Sequence, residues 1–158
     1  PIRRVWNEPM GSCGITARSS IVPYMSHYKK YHESLASWNE VYGKSFNAGV
    51  MSIDLERLRE IKFERTIVDY WAAKLGANDQ VTFNIACNST HGELSSSFNV
   101  FQGTAPEDTP DRSDWVIAHF QSSKKPWLGK WDRTTWGSED FWTIWEDHRL
   151  SFEEVLDM

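Results

Sequence analysis

The chain has 158 residues, 25% of them charged, with a formal net charge of -5 and a pI near 5.5. That length supports one ordinary domain with a real core, and the acidic balance leaves no broad basic field for a nucleic-acid partner. No run approaches the ~18 to 20 apolar residues that span a bilayer, and the start PIRRVWNEPM lacks the apolar core of a signal peptide, so the chain reads as soluble, in cytoplasm or Golgi lumen according to source.

Residues 1–20 hold Pro1, Pro9, Gly11 and Gly14 and read as irregular backbone with one strand near Gly14 to Ala17. Cys13 and Cys87 are too few and too far apart for a disulfide framework or a thiolate zinc site, and a single bridge between them stays open. From Ser19 or Ser20 to about Trp38, Ile21, Tyr24, Met25, Tyr28, Tyr31 and Leu35 recur at helical spacing, with Pro23 in the first turn. Phe46 to Ile53 (FNAGVMSI) reads as a strand, and Gly49 inside it suits close approach by a ligand or another backbone. Asp54 caps a helix from Leu55 to about Leu75, with Leu58, Ile61, Ile67, Val68 and Trp71 as its apolar stripe and Gly76 at its end. Asn78 or Asp79 opens a shorter helix through about Cys87, with Val81, Phe83 and Ile85 turned inward. Leu94 to Phe101 holds a short extended piece, and residues 103–114 (GTAPEDTPDRSD) form an acidic surface loop.

Trp115 to Phe120 is an apolar run with β-branched Val116 and Ile117, and reads as a short buried strand with His119 at its carboxyl end. Ligands of open α/β sheets gather beyond that end of the strands. A polar turn with Lys124 and Lys125 follows; Pro126 stiffens its exit and Trp127 supplies a flat apolar wall. A neutral imidazole can ligate a divalent ion such as Mn²⁺, and an ammonium six residues on can reach phosphate oxygens, so the stretch suits a diphosphate leaving group. The plainer reading is a hydrogen-bonded structural histidine. Ser138 or Glu139 begins an amphipathic packing helix with Phe141, Trp142, Trp145 and His148 on one side, and Phe152 to Met158 form a helical end. Six of the nine tryptophans lie between Trp115 and Trp145, a residue suited to core edges, sugar stacking and membrane interfaces alike. The mixed charges of Arg133, Glu139, Asp140, Glu146 and Asp147 favour a water-facing surface there.

Three separated stretches fall in one order: FNAGVMSIDL at 46–55, NDQVTFN at 78–84 and HFQSSKKPW at 119–127. Together they resemble the second half of a glycosyltransferase family 8 catalytic domain, from about Gly43 to Trp127. The resemblance implies an α/β fold of the GT-A nucleotide-diphospho-sugar transferase type, with residues 1–158 as a single, partial domain forming its C-terminal, acceptor-side half. Family members begin with a nucleotide-binding βαβ region that ends in Asp-x-Asp. The sequence contains no Asp-x-Asp, and counting back from FNAGV places one shortly before Pro1. The expectation is therefore that an upstream segment or a partner chain supplies the nucleotide-binding half, or that the chain is a stand-alone derivative without it.

Residue by residue, the resemblance implies that Asn47, Ala48 and Gly49 lie under the donor sugar. Asp79 and Gln80 match the pair beside the anomeric carbon, where a carboxylate accepts sugar hydroxyls and an amide carbonyl faces the carbon that becomes electron-poor. Asp79 can also cap its helix. His119 matches the metal-binding histidine and Lys125 the lysine on the diphosphate, with Lys124 ranked second. Phe98 and Asn99 resemble an aromatic-Asn pair of the family. Val81 stands where many bacterial members have a second Asp, and Ser122 where a glycine is usual. The implied activity is Mn²⁺- or Mg²⁺-dependent transfer from a nucleotide-sugar donor, a UDP-sugar, to a hydroxyl of a carbohydrate or glycoconjugate acceptor, with retention. The alternative is a non-catalytic carbohydrate-binding or interaction domain of the same descent. The missing Asp-x-Asp favours that alternative, while retention of Asp79, Gln80, His119 and Lys125 opposes it. A glycoside hydrolase needs two carboxylates ~5 to 9 Å apart, and no spacing sets Asp79 and Glu93 opposite one another.

Overall fold

In the computed structural model, which describes residues 2–20, 44–72, 79–101, 106–121, 125–126 and 138–156, the chain divides into two compact units, Pro1–Ser95 and Ser96–Met158. The helix expected from Ser19 or Ser20 to Trp38 falls on residues 21–43, outside the described residues, apart from Ser19 and Ser20 themselves. Ser19 closes a strand rather than opening a helix.

The first unit is built on a three-stranded sheet. Its centre is β1 (Ile15–Ser19), flanked by the antiparallel β2 (Phe46–Ile53) and the parallel β3 (Gly92–Glu93). Ile15, Thr16, Ala17 and Arg18 are all buried, as a central strand covered on both faces requires. The β1/β2 ladder is irregular: Ala17 faces Met51 and Ser19 faces Phe46, so Arg18 alone stands opposite residues 47–50. That bulge takes Asn47, Ala48 and Gly49 out of regular pairing.

Asp54 caps α1 (Leu55–Glu60) by accepting the backbone N–H groups of Glu56 and Arg57, both at 3.0 Å. The single helix expected to reach Leu75 is instead two, because Lys62 takes a left-handed φ of 56° between α1 and α2 (Phe63–Ala72). The break re-aims the chain so that Phe63 is buried and stacks on Phe83 at 4.9 Å, while Val68, expected in the apolar stripe, is 63% exposed. Residues 73–78, and the side chain of Trp71, lie outside the described residues. The next helix, α3 (Asp79–Cys87), buries Val81, Thr82, Asn84, Ile85 and Cys87, with Phe83 half-buried. Cys87 forms a disulfide with Cys13, 74 positions away, and both join the core of Ile15, Ala17, Phe46, Leu58 and Phe63.

The second unit contains β4 (Val100–Phe101) and the parallel β5 (Ala118–His119), in register Val100 to Ala118 and Phe101 to His119. The strand expected over Trp115 to Phe120 is thus only two residues long, and that stretch is half-buried. The reason lies in its partners: Val116 and Ile117 both donate their N–H groups to Ser97 O, and Trp115 N–H goes back to Arg112 O. The long α4 (Ser138–Leu156) buries Phe141 against Trp115 and Phe120, with ring centroids 5.1 and 5.3 Å away. Trp142 and Trp145 are half-buried, whereas His148, expected on the packing side, is exposed. No helix among the described residues is long and apolar enough to cross a membrane.

Gly11 and Gly92 let two backbones touch. A Cβ on Gly92 would stand 2.0 Å from Pro9 O and 2.8 Å from Gly11 N, both main-chain atoms that cannot rotate away. Gly92→Ala is expected to lower the unfolding free energy by about 1 to 3 kcal/mol in urea denaturation, and Val68→Ala by about 0.5 kcal/mol or less.

Candidate functional site

In the first unit, the side chain of Asn84 closes both main-chain groups of Phe46. Phe46 N–H donates to Asn84 Oδ1 at 2.7 Å, and Asn84 Nδ2 donates to Phe46 O at 2.9 Å and to Gln80 O at 2.8 Å. One turn earlier on α3, Gln80 Oε1 accepts the Ala48 N–H at 3.1 Å. This is a donor that the bulge leaves free of the β1 ladder. Asn47 Oδ1 accepts from Gly49 N–H at 2.9 Å, which folds the bulge on itself. Asn47, Ala48, Gly49 and Gln80 are thereby brought together. Asp79 is exposed in the first turn of α3, where the unpaired N–H groups of a helix favour negative charge.

Asn84 was not among the residues singled out from the sequence. Its signal was a polar residue between Val81 and Ile85 on the inward face of a helix. A buried amide there needs partners, and the main chain of β2 provides them.

In the second unit, His119 Nδ1 lies 3.0 Å from Oδ1 of Asn99, which is fully buried. An amide oxygen only accepts, so Nδ1 carries the proton and the lone pair rests on Nε2. Burial pulls the His119 pKa below 6.5, and the Lys125 ammonium lowers it further. The imidazole is therefore neutral near pH 7 and bare at one nitrogen, the state in which histidine binds a divalent cation. Phe101 sets a ring edge-on to His119 at 6.5 Å. Lys124 and Trp127 fall outside the described residues. Among the described residues no group of three or more His, Cys, Asp or Glu side chains converges, so His119 fits one neutral position of a metal shell and the anionic positions are not found among them.

A separate polar cluster occupies the β1/β3 edge. Ser19 N–H donates to Glu93 Oε1 at 2.9 Å, and Ser19 Oγ donates to the other Glu93 oxygen. Glu93, weighed as a hydrolase carboxylate, is thus engaged with Ser19. The same Oγ receives His91 Nε2–H at 3.2 Å, which leaves His91 Nδ1 as a buried acceptor with no partner among the described residues. Burial lowers the His91 pKa below 6.5, Glu93 opposes the shift and Lys44 adds to it.

The family model for glycosyl transferase family 8 matches residues 17–130, most of the chain and all of the residues placed above. The chain belongs to glycosyltransferase family 8. It is 29% identical over 147 aligned residues to the glycosyltransferase GlyD of Streptococcus pneumoniae serotype 4, covering 78% of this chain and 17% of that protein. It also resembles the crystal structure of the galactosyltransferase LgtC in complex with donor and acceptor sugar analogues, with a TM-score of 0.50 and 21% identity. That likeness covers 91% of this chain and 55% of LgtC, and shows the GT-A fold. The chain spans little more than half of LgtC and about a sixth of GlyD.

Two outcomes follow from this geometry. Asn84→Ala strands the buried N–H and C=O of Phe46 and is expected to cost about 2 to 3 kcal/mol in urea denaturation. His91 and His119 both resist protonation in the folded state, so below about pH 6.5 the unfolded chain binds more protons than the folded one. Folding stability should therefore fall as pH drops through and below that value, and be flat above about pH 7.5. Urea midpoints across that range check the sign, and His91→Gln should remove part of the slope.

Proposed function

We propose that this chain carries the sugar-binding and diphosphate-binding residues of a metal-dependent glycosyltransferase that moves a sugar from a UDP-sugar to a hydroxyl acceptor with retention. The observation that carries this reading is the 3.0 Å contact of His119 Nδ1 with the Asn99 carbonyl oxygen, which assigns the proton to Nδ1 and the lone pair to Nε2, together with a Lys125 charge that adds to the lowering of its pKa by burial. A purely structural histidine has no need of a cation beside it. Family membership and the partners of Gln80 add to the same reading.

A bound Mn²⁺ or Mg²⁺ supplies Lewis-acid stabilisation of the charge that develops on a departing diphosphate. His119 offers one neutral ligand through Nε2, and Lys125 offers a compact positive charge to phosphate oxygens. The Asn47 amide and the backbone of Gly49 meet sugar hydroxyls, and the Asp79 carboxylate accepts from others. Gln80 Oε1, held in place by Ala48 N–H, would face the anomeric carbon as it turns electron-poor.

The test is UDP release from UDP-galactose and UDP-glucose by the longest natural chain that carries these residues. His119→Ala and removal of divalent cation should each lower the rate by about 10²-fold or more, while Val68→Ala leaves it unchanged. Release that is indifferent to chelation would overturn the metal requirement. UDP binding without release, across a panel of acceptors, would point to the non-catalytic carbohydrate-binding alternative.

A further inference from the structure

We infer that Asn99 is the positioning residue that sets the tautomer of His119, holding the proton on Nδ1 so that Nε2 is presented as a permanent lone pair. The inference rests on the proposed metal and diphosphate role of His119 for its use, and on the geometry alone for its content.

Asn99 stands between the short 3-10 turn Ser96–Phe98 and β4, and is flanked by buried Phe98 and Val100. Its position is fixed from both sides. Asn99 N–H donates to Ser96 O at 3.3 Å, and the next residue, Val100, donates its N–H to Ile117 O at 3.0 Å, two positions before His119. The strand register places Phe101 beside His119, so the asparagine lies one pleat before the pair, with its carbonyl 3.0 Å from Nδ1. The side chain is fully buried. A carbonyl oxygen in that setting gains from a donor, and only the Nδ1–H tautomer supplies one; the Nε2–H tautomer would set two lone pairs against each other. Two lone pairs facing each other at 3.0 Å in a buried setting are unfavourable enough to bias the tautomers by roughly tenfold or more.

An aspartate in place of Asn99 keeps the acceptor, and a leucine of similar size removes it. A histidine that served only packing would tolerate the leucine with no preferred tautomer. The asparagine also adds no charge beside the imidazole, which an aspartate would do at the cost of drawing a second proton onto the ring.

The experiment is a long-range ¹H–¹⁵N NMR spectrum of the histidine side chains in the metal-free protein, recorded for the wild type and for each variant well above its own His119 titration midpoint, where the ring is neutral. His119→Gln assigns the resonance. The expected result is a protonated-type Nδ1 and an unprotonated-type Nε2 in the wild type and in Asn99→Asp, and averaged tautomers in Asn99→Leu. If Asn99→Leu does not fold, the wild type and Asn99→Asp still decide. An Nε2–H tautomer or an unbiased mixture in the wild type would overturn the inference, as would an unchanged Nδ1–H tautomer in Asn99→Leu. Mn²⁺ added afterwards tests the other reading separately. A locked tautomer whose Nε2 signal is untouched by Mn²⁺ sinks the metal role of His119 and leaves the role of Asn99 standing.

Discussion

The pair of hydrogen bonds between the Asn84 side chain and the main chain of Phe46 is the constraint on which the first unit turns. β2 has a bulge at residues 47–50, and a bulged strand loses ladder bonds that would otherwise fix it. Asn84 satisfies the main chain of Phe46 at the start of the bulge, and Gln80 a main-chain donor within it. Because both residues lie on one turn of α3, helix and bulge are held as one piece. The disulfide at the last residue of the same helix anchors its far end to the loop before β1. Asn47, Ala48 and Gly49, which the proposed function sets under the donor sugar, are thus mounted on irregular backbone that a helix holds in place.

The second unit uses the same device with a different object. There a buried asparagine fixes an imidazole rather than a main chain. In both cases an amide is chosen, which can accept and donate without carrying a charge into the interior, and in both it is fully or almost fully buried, Asn99 at 0% and Asn84 at 1% exposure. A carboxylate in either place would bring desolvation and a pKa shift with it.

Much of this was legible in the sequence where the signal was local. The strand Phe46–Ile53, the Asp54 cap, the short helix ending at Cys87 and the position of His119 at a strand end are each written in a few adjacent residues, and each is found. The three motifs and their order were enough to point to the family. What was missed depends on residues far apart in the chain. The break at Lys62 has no glycine or proline to announce it and is explained by Phe63 reaching Phe83. The bulge follows from a register that only the sheet sets, and the disulfide from a fold that brings Cys13 to Cys87. Asn84 and Asn99 were visible as polar residues in apolar surroundings. Their partners were not, because a buried amide announces a need without naming what meets it.

The most direct test of the account is an anomalous difference map at the manganese edge, from a crystal of the longest natural chain that carries these residues, grown with UDP and Mn²⁺. The expected result is a manganese peak bonded to His119 Nε2, with Nδ1 still on the Asn99 carbonyl and Lys125 against a phosphate oxygen. UDP and manganese bound together with no bond to His119, or a manganese bonded through Nδ1, would contradict it.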